Sequence, residues 1–163
     1  MISSPLGAAH FTAAVAALAL GLVVLVARKG TDLHRLFGLG FVLAMIVLNA
    51  TAFGIYRLTG QLNAFHVLAL ASSATTGFGV LVVLRRRANW MAAHLRMMSY
   101  GYLGLLAAAA AEAVMRSGLL RSVVKSPSGI IAAGLVIAAL FTLVGVLVVP
   151  RLQRSALAED PDR

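Results

Sequence analysis

Five uninterrupted apolar stretches, approximately residues 8–27, 33–56, 62–84, 90–115 and 129–149, leave this chain little choice of fold. About 20 apolar residues in a helix, rising ~1.5 Å each, cross the roughly 30 Å of hydrocarbon in a bilayer. A segment in hydrocarbon must satisfy its backbone groups internally, which a helix does. Composition agrees: the chain is 61% hydrophobic and 12% charged, where a soluble domain is about 45–50% apolar and about 25% charged. Those two numbers exclude a soluble globular domain. They also exclude the nucleic-acid partner that a pI near 11.5 and a net charge of +9 would otherwise suggest. The expectation is an all-α integral membrane protein, a four-helix transmembrane core bundle plus a fifth peripheral transmembrane helix, with the lipid bilayer as its first partner.

The breaks between stretches carry boundary signals. Arg28-Lys29-Gly30-Thr31-Asp32 ends the first, with Thr31 suited to cap the second. Leu58-Thr59-Gly60-Gln61 is a short turn, and Arg85-Arg86-Arg87-Ala88-Asn89 a basic turn closed by an Asn cap. A longer connection spans 116–128, and Pro150 closes the last stretch. None is long enough for a second domain, so residues 1–150 read as one transmembrane helical domain followed by a polar tail, 151–163. The first stretch lacks the basic leader of a signal peptide; its positive charges follow the apolar run. That order puts the N-terminus outside and the C-terminus in the cytoplasm of a bacterial inner membrane. Arg28, Lys29, Arg35, Arg85, Arg86, Arg87, Arg96, Arg151, Arg154 and Arg163 then lie inside, against Arg57, Arg116, Arg121 and Lys125 outside. Trp90 would sit at the inner interface and Tyr56 at the outer.

Ionisable residues within spans are costly and usually face the bundle interior. The four histidines fall one to each of the first four spans and alternate in depth: His10 outer, His34 inner, His66 outer, His94 inner. Glu112 follows His94 by five turns on nearly the same face, about 27 Å away, and so joins the outer layer. The outer layer is then His10, His66 and Glu112, with Asn49 somewhat deeper and Arg116 one turn beyond. The inner layer is Asp32, His34 and His94, with Arg35, Arg85, Arg86, Arg87 and Arg96 close by. Gly38-x-Gly40 and Gly77-x-Gly79 read as helix-packing glycines. The fifth stretch carries no ionisable group and looks like a lipid-facing or homo-oligomer-facing helix.

Two imidazoles and a carboxylate match a catalytic zinc site with an open position, and the chain has no cysteine to compete. The plainer alternative pairs Glu112 with Arg116 at i+4 and leaves His10 and His66 bonded to backbone or water. Asp32, His34 and His94 form a second candidate metal set. The flanking arginines oppose a cation there and suit an anion such as a nucleotide pyrophosphate or a lipid phosphate, with Asn49 the remaining candidate for holding a cofactor. The alternating depths also allow two bis-histidine b-type haems, axial pairs His10/His66 and His34/His94.

The run Gly30-Thr31-Asp32-Leu33-His34-Arg35-Leu36-Phe37-Gly38 resembles the Gly-Thr-x-x-His-Arg-x-x-Gly signature of a bacterial family of predicted membrane proteins of unknown function. His94-Leu95-Arg96-Met97-Met98-Ser99-Tyr100 is similar to that family's His-x-x-x-Met-x-Ser-Tyr segment but one residue shorter, and His10 matches a family position. The resemblance covers about residues 8–116 and leaves the fifth stretch outside. It implies a histidine-bearing bundle working as a membrane oxidoreductase with quinone, zinc or a nicotinamide cofactor (NADH). On that reading zinc held by His10, His66 and Glu112 polarises a quinone carbonyl while His34 and His94 handle protons as the catalytic pair. The alternatives are a dihaem electron-transfer bundle and a non-enzymatic metal or proton transporter or assembly subunit.

Overall fold

The computed structural model describes residues 4–55 and 64–116, together with part of the stretch from 132 to 151. Four long helices account for most of it: α1 (Pro5–Val26), α2 (Asp32–Gly54), α3 (Ala64–Arg85) and α4 (Trp90–Arg116). Each carries a segment long and apolar enough to cross a membrane. The ends follow local chemistry. Ser4 caps α1 by accepting from the Gly7 N–H at 3.1 Å, and Pro5 stands in the first turn, where no backbone donor is missed. Thr31 caps α2 as expected, its hydroxyl accepting from the His34 N–H (3.3 Å) while donating to the Arg28 carbonyl (2.8 Å). Gly30 takes the left-handed backbone, φ 80°, that this tight turn requires. Lys29 Nζ reaches back to the Val24, Leu25 and Ala27 carbonyls at 2.8, 2.8 and 3.2 Å, answering acceptors left over at the end of α1.

The chain divides into two compact units, Met1–Ser73 and Ala74–Arg163, with the boundary inside α3. In the first unit α1 packs on α2 through small residues. Gly7, Ala13, Ala17 and Gly21 are the buried positions of α1, while Phe11, Val15, Leu22 and Leu25 stay exposed. This inverts a soluble core. Lipid is as apolar as leucine, so the contact face gains from close backbone approach and dispersion rather than from hiding large side chains. On α2 the inward face is Phe41, Met45, Leu48 and Asn49, with His34 half-buried in line with it. Leu20 packs over Gly40, where an added Cβ would meet its Cδ1 at 3.3 Å, and Leu6 packs over Gly54 at 3.0 Å.

In the second unit α3 and α4 meet at two glycines. A Cβ on Gly79 would lie 2.7 Å from Met98 Sδ, and one on Gly101 would lie 3.2 Å from Thr76 Oγ1. Gly40 and Gly79 are thus packing glycines as expected, but Gly38 and Gly77 are not: a Cβ on either would meet open space. The pattern Gly-x-Gly places its two glycines about 200° apart, so one helix neighbour can use only one of them.

Of the fifth apolar stretch the structure describes a shorter apolar helix, α5 (Ala139–Arg151). It meets α4 along a narrow seam: Gly145 packs on Leu103, Val149 is buried, and Leu140, Leu143, Val144, Leu147 and Val148 are exposed. The Leu58–Gln61 turn, Tyr56, Arg57, most of the 116–128 connection and nearly all the polar tail lie outside the described residues.

Candidate functional site

The polar groups of the first unit collect around the last turns of α2. His10 lies on the stripe of α1 that runs through Ala13, Ala17 and Gly21, so it faces α2. There its Nδ1 stands 3.0 Å from Thr51 Oγ1. The Thr51 hydroxyl also lies 2.7 Å from the Val47 carbonyl and 2.9 Å from the Leu48 carbonyl. A hydroxyl has one proton, and here it bonds back to the helix, so toward His10 the oxygen accepts. His10 therefore carries its proton on Nδ1 and keeps the Nε2 lone pair for a ligand or a proton.

His66, at the start of α3, meets the same end of α2. It is 7% exposed, and its ring packs against Phe53, centroids 6.1 Å apart and planes tilted by 42°. Thr51 and Phe53 are two residues apart and so about 200° apart around α2: His10 and His66 meet the same helix end on different faces. One turn deeper, Asn49 is 8% exposed and its Nδ2 makes a long contact, 3.4 Å, to Ser72 Oγ. Ser73 donates to the Ala69 carbonyl at 2.8 Å. Sequence reasoning found His10, His66 and Asn49. It missed Thr51, Phe53 and Ser72, which read as ordinary span residues; the available signal was that His10 shares the small-residue face of α1 and must therefore meet α2.

In the second unit His94 Nδ1 lies 2.8 Å from the Gly79 carbonyl oxygen. A carbonyl only accepts, so His94 is also protonated at Nδ1 and presents Nε2. Gly79 makes that approach possible, because a side chain there would occupy the space of Met98. Two of the four histidines thus share one device: Nδ1–H anchored by protein oxygen, Nε2 left as the donor atom. The same arrangement orients imidazoles that bind metals. Glu112 is half-buried on α4, and the Arg116 side chain lies outside the described residues.

The inner-layer candidates are placed differently. Asp32 is fully exposed and pairs with Arg35 at 3.6 Å, a surface contact worth little in water. Two positions on, His34 points some 200° away around the helix and is half-buried, so α2 does not aim Asp32 and His34 at one point. Arg85, Arg86, Arg87 and Arg96 are exposed. Among the described residues no group of three or more His, Cys, Asp or Glu side chains is gathered to hold a metal ion.

Long apolar helices that turn small residues inward, with histidines held at their contact faces, define an integral membrane protein of the helical-bundle class. The chain belongs to the family described as "Predicted membrane protein (DUF2306)", whose family model matches residues 7–153. The match runs through the fifth stretch, so that stretch is part of the family's pattern and not an addition outside it, as the resemblance over residues 8–116 implied. No curated protein and no solved structure matches the chain.

Proposed function

We propose that this protein is a small inner-membrane oxidoreductase that reduces a quinone at a metal held by His10 and His66. The observation that carries the reading is the His10 Nδ1–Thr51 Oγ1 contact: with Nδ1–H donating to the Thr51 oxygen, Nε2 keeps its lone pair for a ligand, at the helix end whose other face His66 contacts. Neutral imidazole nitrogens in a thiol-free chain suit zinc. If zinc binds there, Glu112 would be the candidate third protein donor, leaving a position open for water or the quinone oxygen. When bound, zinc supplies Lewis acidity, and it exchanges no electrons. A nicotinamide donor would deliver a hydride, and one further proton would complete the quinol. The neutral Nε2 of His94 can take up and pass on such a proton, with His34 the candidate second member of that relay. In this reading the N-terminus lies outside and the C-terminus in the cytoplasm.

A second reading has a specific observation in its favour. His10 and His66 both contact the last turns of α2, and two imidazoles are the ligand set of a bis-histidine haem b. One purified sample separates the two readings. Elemental analysis and a visible spectrum of full-length protein, never exposed to chelator, should give about one zinc per chain and no Soret absorbance. His66→Ala should release the zinc and abolish quinone reduction by membranes carrying the protein, and Glu112→Gln shows whether the carboxylate joins the site. A Soret band would replace the zinc reading with the haem reading. Colourless protein with less than about half a zinc per chain would end both.

A further inference from the structure

The two basic turns of the chain use their cations differently. Between α1 and α2, Lys29 reaches three helix carbonyls and Arg35 makes a weak surface pair with Asp32, while Arg28 is exposed. Between α3 and α4, Arg85, Arg86 and Arg87 are all exposed. Among the described residues the side chains of Arg85 and Arg87 make no ion pair or hydrogen bond. Arg86 lies over the Trp90 ring, 5.8 Å from its centroid, a contact that leaves the guanidinium edge and its N–H donors open. The backbone adds a second observation. Arg86 closes α3 with φ 42°, in the left-handed region where glycine is the usual residue and a long side chain is an outlier. A glycine would make this turn with less strain, so a use for the side chain is the better account of an arginine here.

We propose that the α3–α4 turn is a binding site for the phosphate of an anionic phospholipid. Three guanidinium groups with no counter-charge among the described residues sit between two membrane-spanning helices, where headgroup phosphates lie. The bilayer holds a lipid phosphate at that depth, so a flat, exposed turn can bind it. A freely diffusing nucleotide would need a concave pocket to be held as well. Trp90, an interfacial residue by type, fixes Arg86 at the level of the headgroups. Guanidinium recognises phosphate through paired N–H donors, and each basic residue near an anionic surface strengthens attraction roughly five-fold.

Trp90 is the single tryptophan of the chain and lies at the proposed site, so its fluorescence reports directly. The full-length protein is placed in phosphatidylcholine vesicles containing brominated phosphatidylglycerol or, separately, brominated phosphatidylcholine at the same mole fraction. Contact quenching should be stronger with the anionic lipid, and the association preference should fall about 25-fold when two of the three arginines are removed in Arg85→Gln/Arg87→Gln. Arg86→Gly relieves the left-handed backbone, so it should keep or raise the melting temperature while lowering the preference. Inorganic phosphate at millimolar concentration should leave the quenching unchanged. Equal quenching by the two lipids, or a preference retained in Arg85→Gln/Arg87→Gln, would overturn the proposal. Loss of the preference on adding inorganic phosphate would overturn it as well, by showing that the turn binds a soluble anion.

Discussion

Thr51 decides what His10 can do, and it does so with one proton. With the hydroxyl proton directed to the Val47 or Leu48 carbonyl, the Thr51 oxygen accepts and His10 donates from Nδ1. Thr51→Val keeps the β-branched shape and removes the oxygen. Nitrogen-15 NMR of histidine-labelled protein should show His10 as the Nδ1–H tautomer in the parent and as a mixture in the variant. Loss of an outer partner of this kind commonly weakens metal binding by about 10- to 100-fold, and zinc occupancy should fall accordingly. An unchanged tautomer would dismiss Thr51 as the positioning residue. The glycines allow a paired test on one helix. Gly77→Ala adds a methyl to open space and should be neutral or stabilising by up to about 1 kcal/mol. Gly79→Ala must displace Met98 and also Met97 Cβ, 3.3 Å away, so thermal unfolding in detergent should show a loss of about 1–3 kcal/mol. The His94 Nδ1 signal should shift with it. Nothing in the sequence separates these two glycines, because the difference lies wholly in what the neighbouring helix brings to each.

Among the elements, the spans were legible because bilayer thickness and helix rise fix their length independently of tertiary detail. The expected 8–27, 33–56, 62–84 and 90–115 became Pro5–Val26, Asp32–Gly54, Ala64–Arg85 and Trp90–Arg116. The differences lie at the ends, where capping chemistry overrides hydropathy: Ser4 and Pro5 start α1 three residues earlier than its apolar run. Which face of each helix turns inward was much less legible. A helix apolar all round carries no amphipathic signal, so the inward face of α1 had to be read from small residues instead of large ones. Ala17 is 0% exposed at the centre of that face. Ala17→Leu should separate α1 from α2 and cost about 1–3 kcal/mol, measured by unfolding in detergent. Leu22→Ala, on the exposed face, should change the same measurement little. If both variants behave alike, the α1–α2 contact is not the small-residue packing described above. Lys29, beyond the end of α1, adds a pH dependence. Burial lowers its pKa from the ordinary 10.5, so the unfolded chain holds that proton more tightly than the folded one. Its contribution to stability should therefore rise with pH between the lowered value and 10.5, and Lys29→Met should remove that slope.

For the whole molecule the open question is how many times the chain crosses, and the answer fixes where its ends lie. Four crossings by α1 to α4 would put residues before α1 and after α4 on the same side. The apolar stretch 129–149 is long enough for a fifth crossing, and the family match includes it. The described part of α5 runs from Ala139 to Arg151, and Ala132 and Val136 are helical as well. The charge pattern supports the expectation of five. With five crossings the basic residues divide ten to four, and Arg151, Arg154 and Arg163 fall on the side of Arg28, Lys29 and the 85–87 arginines. With four crossings those three would join the other side and make the division seven to seven, which gives no orienting signal. The chain contains no cysteine, so single-cysteine variants need no background correction. Ser3→Cys in intact spheroplasts should react with a membrane-impermeant maleimide, and Ser155→Cys should react only after the membrane is opened. Labelling of both in intact cells would mean four crossings with both ends outside. Labelling of neither would place both ends inside. Only the second outcome moves His94 to the other side; with both ends outside, the α3–α4 turn and His94 stay on the cytoplasmic side.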